Sequence, residues 1–211
     1  MGPDTTRPGP RERRKQRTHE DLLRSALELF LDRGYGGTTV GDIAERAAVS
    51  ERTFFRYFAG KEELVLHPLR EARQVLLAEV ARRPAEEKPL RALYEGGLAA
   101  LRLVSGRMPG LYRLTLRVVS TDPEAHATCL RFGAEEQRKL ADVVARRERA
   151  RPGDLRPVLL AAAFTAAITE ASLSWGKGGD TSIASLSATV ESHLRVLPQA
   201  VTWGRSRSPE D

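Results

Sequence analysis

The sequence predicts an all-α protein. Apolar residues recur at three- and four-residue spacing along nearly the whole chain, runs of period two are almost absent, and glycine or proline punctuates long periodic segments. The first 66 residues divide into short helical patterns joined by tight turns. The remainder divides into longer ones, so a small head of three helices should precede a larger helical unit.

The first helix presents Leu22, Leu23, Ala26, Leu27 and Phe30 on one face and closes at Arg33-Gly34-Tyr35. Thr39 is the expected cap of the second, and with Asp42 it resembles a capping box in which Asp replaces the usual Glu or Gln. Val40, Ile43, Ala44 and Ala47 form that helix's apolar face. Ala48 falls in the turn; if the backbone there needs positive φ, alanine is strained by about 1 kcal/mol. Ser50 should cap the third helix, expected over 50–58. A fourth is expected over 61–83 with Pro68 inside, where the missing N–H and a clash with the Leu64 carbonyl predict either a bend near His67 or a helix that ends and restarts. Further helices are expected at 88–105, 109–120, 123–149, 155–175 and 181–197, broken by Gly106, Asp122, Pro152-Gly153 and the glycine-rich stretch at 176–179. Residues 1–10 and 205–211 have the composition of irregular ends.

The third helix separates its duties by face. Phe54 and Phe58, four apart, should pack with Val49 against the second helix. Glu51, Arg52, Phe55 and Arg56 then point the other way, as a helix lying in a DNA major groove presents its side chains to base edges. Arg52 and Arg56 carry the planar fork that matches guanine O6 and N7, while Phe55 offers apolar contact, for example to a thymine methyl. Ser50, Thr53 and Tyr57 put hydroxyls within reach of phosphate, and Thr39 begins a helix whose free amides can also receive one. A purely structural helical hairpin is the alternative reading of the same pattern.

From 13 to 66 this pattern resembles the head of the TetR family of transcriptional regulators. The elements that carry the resemblance are the first-helix run, Thr38-Thr39-Val40, Asp42-Ile43-Ala44, Val49-Ser50, Thr53-Phe54, Tyr57-Phe58 and Lys61-Glu62-Glu63-Leu64. It implies a helix-turn-helix domain over 13–66, a basic arm over 1–12, a helical ligand-binding and dimerisation domain over 67–204 and a tail over 205–211. Carried over by position, the DNA-facing set is Thr39, Ser50, Arg52, Thr53, Phe55, Arg56, Tyr57 and Lys61, with Lys61 near a phosphate. Ala48 departs from the family's common glycine and Phe55 from its common tyrosine. The variant Thr53-Phe54-Phe55-Arg56-Tyr57-Phe58 is similar to a subgroup that includes regulators of mycofactocin clusters, which implies an acyl thioester ligand with Arg113 or Arg117 near its acidic end.

The family further implies a homodimeric repressor that leaves a pseudo-palindromic double-stranded DNA site when a small, largely apolar effector binds. An activator with the same head, and a carrier or enzyme with a structural hairpin, are the alternatives. Ligand-lining expectations are Leu101, Val104, Met108, Leu111, Tyr112, Leu116, Phe132 and Phe164, each also readable as ordinary core. The last two helices, through Phe164, Ile168, Leu173, Ile183, Leu186, Val190 and Leu194, are expected at the dimer interface, an internal core being the alternative.

Net charge is +6, yet residues 1–67 hold twelve basic and eleven acidic side chains, so overall basicity does not locate the DNA contact. Arg7, Arg11, Arg13, Arg14, Lys15 and Arg17 cluster before the first helix, as a DNA-reaching arm or a solvated terminus. Cys129 is the only cysteine, which excludes an intramolecular disulfide and fits a cytoplasmic protein. Residues 1–20 lack an apolar signal core, and the stretch 158–168 is too short to span a bilayer, so no membrane partner is expected. No G-x-S-x-G, phosphate-cradling glycine loop or H-E-x-x-H occurs, and no cofactor or catalytic residue is expected. His126 and Cys129 share a helix face but are two ligands only; His19, His67 and His193 are read as isolated, and Glu135-Glu136 as a solvated face.

Overall fold

The computed structural model describes residues 9–201 apart from residue 109, and among these residues there are nine helices and no strand. They are α1 (Pro10–Arg33), α2 (Val40–Arg46), α3 (Glu51–Phe55), α4 (Lys61–Arg82), α5 (Pro89–Arg107), α6 (Leu111–Thr121), α7 (Pro123–Arg147), α8 (Arg156–Lys177) and α9 (Ile183–Val201). Pro10 starts α1 early because proline's fixed φ suits a first turn and its absent N–H would be unpaired there anyway. Arg11, Arg13, Arg14, Lys15 and Arg17 therefore sit exposed on the first turns of a helix, not on an arm ahead of it. Arg7 and the tail at 205–211 lie outside the described residues.

The packing builds two cores. One joins Leu22, Phe30, Ile43, Phe54, Phe58 and Leu64 of the head to Leu111 and Val118 of α6 and Ala125 of α7. The other fills the α4–α9 bundle with Val80, Leu93, Val104, Leu140, Phe164, Trp175, Leu186 and Leu194. Helix α4 belongs to both: Leu64, Val65 and Leu66 enter the head core, Val75, Leu76 and Val80 the bundle core. Pro68 is buried between the two sets, and the helix neither ends nor restarts there.

Two expected breaks fall inside helices. Gly106 lies within α5, and Gly176 is buried within α8. At Gly176 a Cβ would collide with Ser120 Oγ, so the bare backbone is what lets α8 close on α6. Ser120 Oγ secures the contact by donating to Leu116 O at 2.6 Å and to Ser172 O at 3.2 Å. By length and composition α8 is long and apolar enough to cross a bilayer, because it extends well beyond 158–168. Instead it packs against α6, α7 and α9 and buries Ala161, Phe164, Ala171 and Trp175.

Candidate nucleic-acid interface and cavity

Helix α2 opens with the expected reciprocal cap. Thr39 Oγ1 accepts from Asp42 N at 3.1 Å, while Asp42 Oδ2 accepts from Thr39 N at 2.8 Å and Thr39 Oγ1 at 2.6 Å. Those bonds, the hydroxyl's first, hold the Asp42 carboxyl below the usual aspartate range. The turn that follows places Ala48 at φ 52, inside the left-handed region, and is closed by Val49 N donating to Ala44 O at 2.9 Å. An alanine there carries strain of about 1 kcal/mol that glycine would avoid.

Regular α3 spans five residues, shorter than the expected 50–58. Ser50 Oγ accepts from Thr53 N at 3.2 Å, and beyond Phe55 the turn tightens, with Tyr57 N on Phe54 O at 2.8 Å and Phe58 N on the same carbonyl at 3.0 Å. The three-residue bond at Tyr57 ends the regular helix yet keeps Phe58 on the Phe54 side. Phe54 and Phe58 are 0% and 2% exposed, whereas Arg52, Phe55 and Arg56 face solvent, Phe55 at 56%. An aromatic left that wet on a capped helix, between two exposed guanidinium groups, is what an apolar contact to a base requires. Arg56 lies over the Tyr57 ring at 5.3 Å, which stiffens both side chains on the exposed face.

Lys61 is placed differently from an open phosphate ligand. Its ammonium donates to Tyr35 O at 2.8 Å and Thr38 O at 3.4 Å and sits 4.4 Å from the Tyr35 ring centre. It ties the start of α4 to the α1–α2 turn. Asp122, expected only as a helix break, completes this joint: Oδ2 accepts from Tyr35 N at 2.7 Å, and Oδ1 accepts from Glu124 N and Ala125 N at 2.9 Å. One carboxylate thus caps α7 and grips the head. Burial alone would push its acidity down, but the three amides and nearby Lys61 outweigh that and hold the carboxyl below the usual range.

His19 and His67 are not isolated. Their rings meet edge-on at 4.7 Å, and His19 also stacks on Phe58 at 4.7 Å, joining α1, the end of the α3 turn and α4. Burial, then mutual repulsion in the case of His19, favours the neutral rings. His193 bonds Thr189 O at 2.8 Å. Glu136 is 6% exposed and paired with Lys139 at 2.6 Å, so only Glu135 of that pair is solvated.

A cavity of about 570 Å³ opens between α4, α5, α6, α7, α8 and α9. Of the expected lining residues, Leu101, Tyr112, Leu116, Phe132 and Phe164 border it. Val104 is buried in the bundle core, Leu111 in the head core, and Met108 packs between the two; α6 starts at Leu111, two residues later than the spacing suggested. Arg113 and Arg117 do not border the cavity; the cation that does is Arg73 of α4, which sequence reading passed over. Cys129 also borders it, its thiol pushed up to about 12 by burial. Among the described residues no group of three metal-ligating side chains occurs.

Within a single chain the residues expected at the dimer interface divide between buried and partly exposed positions. Phe164, Leu186, Val190 and Leu194 are 0%, 1%, 4% and 3% exposed within a single chain, and Ile168, Leu173, Leu186 and Val190 border the cavity. Ile183 packs half-buried on the bundle core. The α8–α9 contact takes up part of this set, while Ile168, Leu173 and Ile183 stay partly exposed; the large apolar groups of this pair that face out most are Val158, Leu159 and Val196, at 49%, 64% and 53% exposure, with Leu155, at 68%, just ahead of α8.

A capped helix-turn-helix with an outward basic and aromatic face, seated on a helical bundle, defines a DNA-binding transcriptional regulator. The description "Bacterial regulatory proteins, tetR family" matches residues 22–67, and "MftR C-terminal domain" matches residues 87–201. The regulator TcmR of Streptomyces glaucescens is 40% identical over 196 residues, covering 90% of this chain and 87% of that protein. The repressor KstR2 of Mycolicibacterium smegmatis is 38% identical over 71 residues, 34% of this chain and 32% of its own. In fold, NalD, the secondary repressor of the MexAB-OprM multidrug efflux pump in Pseudomonas aeruginosa, is similar with TM-score 0.62 at 21% identity, covering 87% of this chain and 96% of that one. The chain belongs to the TetR family of bacterial transcriptional regulators, and it is not an enzyme.

Proposed function

We propose that the protein is a cytoplasmic homodimeric repressor that a small, largely apolar ligand releases from a pseudo-palindromic operator. The observation that carries the reading is α4, whose residues form part of the head core at one end and of the cavity wall at the other. A ligand that prefers one placement of α4 shifts the population of head positions by its difference in affinity for the two states. Two heads must sit one helical turn apart, about 34 to 36 Å, to enter successive major grooves, so a small change in spacing lowers operator affinity.

Arg52, Phe55 and Arg56 are the base-reading set in this proposal, with Ser50, Thr53, Tyr57 and Thr39 beside the backbone. Lys61 acts chiefly by fixing the head's geometry. The exposed Leu155 at the cap of α8, with Val158 and Leu159 in its first turn, forms the centre of a two-fold four-helix contact, continued by the small outward residues Ala184 and Ala188 of α9.

Gel shift against DNA from upstream of the protein's own gene, across a salt series, tests the reading. A preferred fragment whose affinity falls with salt is expected. Equal affinity for every fragment would overturn it, and a reporter that loses expression when the gene is deleted would convert repressor to activator.

A further inference from the structure

We infer that the cavity takes an apolar ligand bearing one anionic oxygen group, a carboxylate or an ionised phenol, anchored by the Arg73 guanidinium. The inference deepens the ligand-responsive reading above and rests on it.

Arg73 projects from α4 into the cavity wall and is part-buried there. A guanidinium carries five N–H donors and stays charged. Among the described residues it makes no hydrogen bond and no ion pair. Glu136 and Tyr112 are the groups that interact with it electrostatically, and the Glu136 carboxylate is already held by Lys139 at 2.6 Å. Burial outweighs both and lowers the pKa of the Arg73 guanidinium from its ordinary value. A part-buried charge that lines a mainly apolar cavity and has no acceptor is a ready partner for an anion entering that cavity.

The surroundings say what that acceptor is attached to. Leu76, Leu101, Leu116, Phe132 and Phe164 make the wall mainly apolar, and about 570 Å³ suits a small molecule. The Tyr112 phenol and the buried Thr165 hydroxyl border the same space without a hydrogen-bond partner, two further points of orientation. Arg73 is the one Arg or Lys in the wall, and the carboxylate there, Glu170, is exposed at its edge. One cation balances one negative group; a polyphosphate tail would need several.

The position of Arg73 also explains how the ligand would act. It lies five residues beyond Pro68, about 7.5 Å along α4. A pull on the guanidinium is therefore delivered to the helix that carries Leu64 and Val65 into the head core.

Two dyes of nearly identical skeleton test the assignment: anilinonaphthalene sulfonate and its neutral counterpart phenylnaphthylamine, titrated into the full chain by fluorescence. Wild type should bind the sulfonate more tightly. Arg73→Met should weaken the sulfonate about 10- to 100-fold, the range for a lost hydrogen bond to a charged group, and leave the neutral dye within about twofold. Arg73→Lys should recover part of the loss. Gly133→Phe, at a wall position where a Cβ meets nothing, should weaken both dyes and so place them in the cavity. Arg73→Met weakening both dyes equally, or neither, overturns the inference. Cavity binding of the neutral dye with no preference for the sulfonate overturns it while the ligand-responsive reading stands. If neither dye responds to Gly133→Phe, both fall.

Discussion

Asparagine at position 122 isolates the bond between head and bundle. The Asp122 carboxylate serves three amides, two at the start of α7 through Oδ1 and Tyr35 N through Oδ2. Asparagine caps helices about as well as aspartate but has one acceptor oxygen. If that oxygen stays on α7, the amide nitrogen faces the Tyr35 N–H, donor against donor. The loss is one hydrogen bond to a charged group; at this half-exposed site the expectation is about 1.5 to 2 kcal/mol, the lower part of the usual range. Asp122→Ala removes the cap as well, typically about 1 kcal/mol more, for a total of about 2.5 to 3 kcal/mol. Urea unfolding at one fixed protein concentration reads both, since self-association would otherwise move the midpoint. The native carboxyl lies below the ordinary 3.8, so its contribution is present above that pH and is lost as pH falls through the native value; Asp122→Asn should flatten this acid limb. An Asp122→Asn protein within about 0.5 kcal/mol of wild type would refute the reasoning, because changes that small are what featureless surface positions give.

Arg56→Ala should cost about 1 to 3 kcal/mol on the preferred DNA and little on random DNA, measured by competition gel shift; equal losses would remove it from the reading set. The His19–His67 contact should make the head acid-sensitive. Both rings titrate below the ordinary 6.5, so the unfolded chain binds protons first and stability falls as pH drops below that value; His19→Phe, which keeps a ring on Phe58, should reduce the slope in pH-dependent thermal melts. Leu159→Glu should shift sedimentation to the monomer without lowering helicity, because the side chain is 64% exposed in the single chain. A monomer-sized wild type would count against the proposed α8 face.

Local rules carried the head. Thr39 with Asp42, Ser50 with Thr53, and the opposed faces of α3 each follow from spacing within a few residues, and each appears in the structure. What escaped depends on residues distant in sequence. A lone arginine on an amphipathic helix reads as solvent-facing, and only the packing of α6 and α7 against α4 turns Arg73 into a cavity-wall residue. His19 and His67 are 48 positions apart, and nothing in either neighbourhood announces the other. Asp122 looked like a helix stop; its grip on Tyr35, 87 positions earlier, is a property of the assembled joint. The outward side of α8 was illegible for a related reason: the helix is apolar all round, so its own pattern does not say which side α9 will cover.

The bare backbone at Gly176 has a mechanical corollary. Clamped through Ser120, α6 and α8 behave as a single strut: one end underlies the reading head through Leu111 and Val118, the other carries the outward leucines of the proposed pairing surface. A guest molecule cannot wedge those two apart cheaply. In the proposed dimer the distance from twofold axis to head is then built into the strut, and on the proposed ligand-responsive reading the swing falls to α4 pivoting against it.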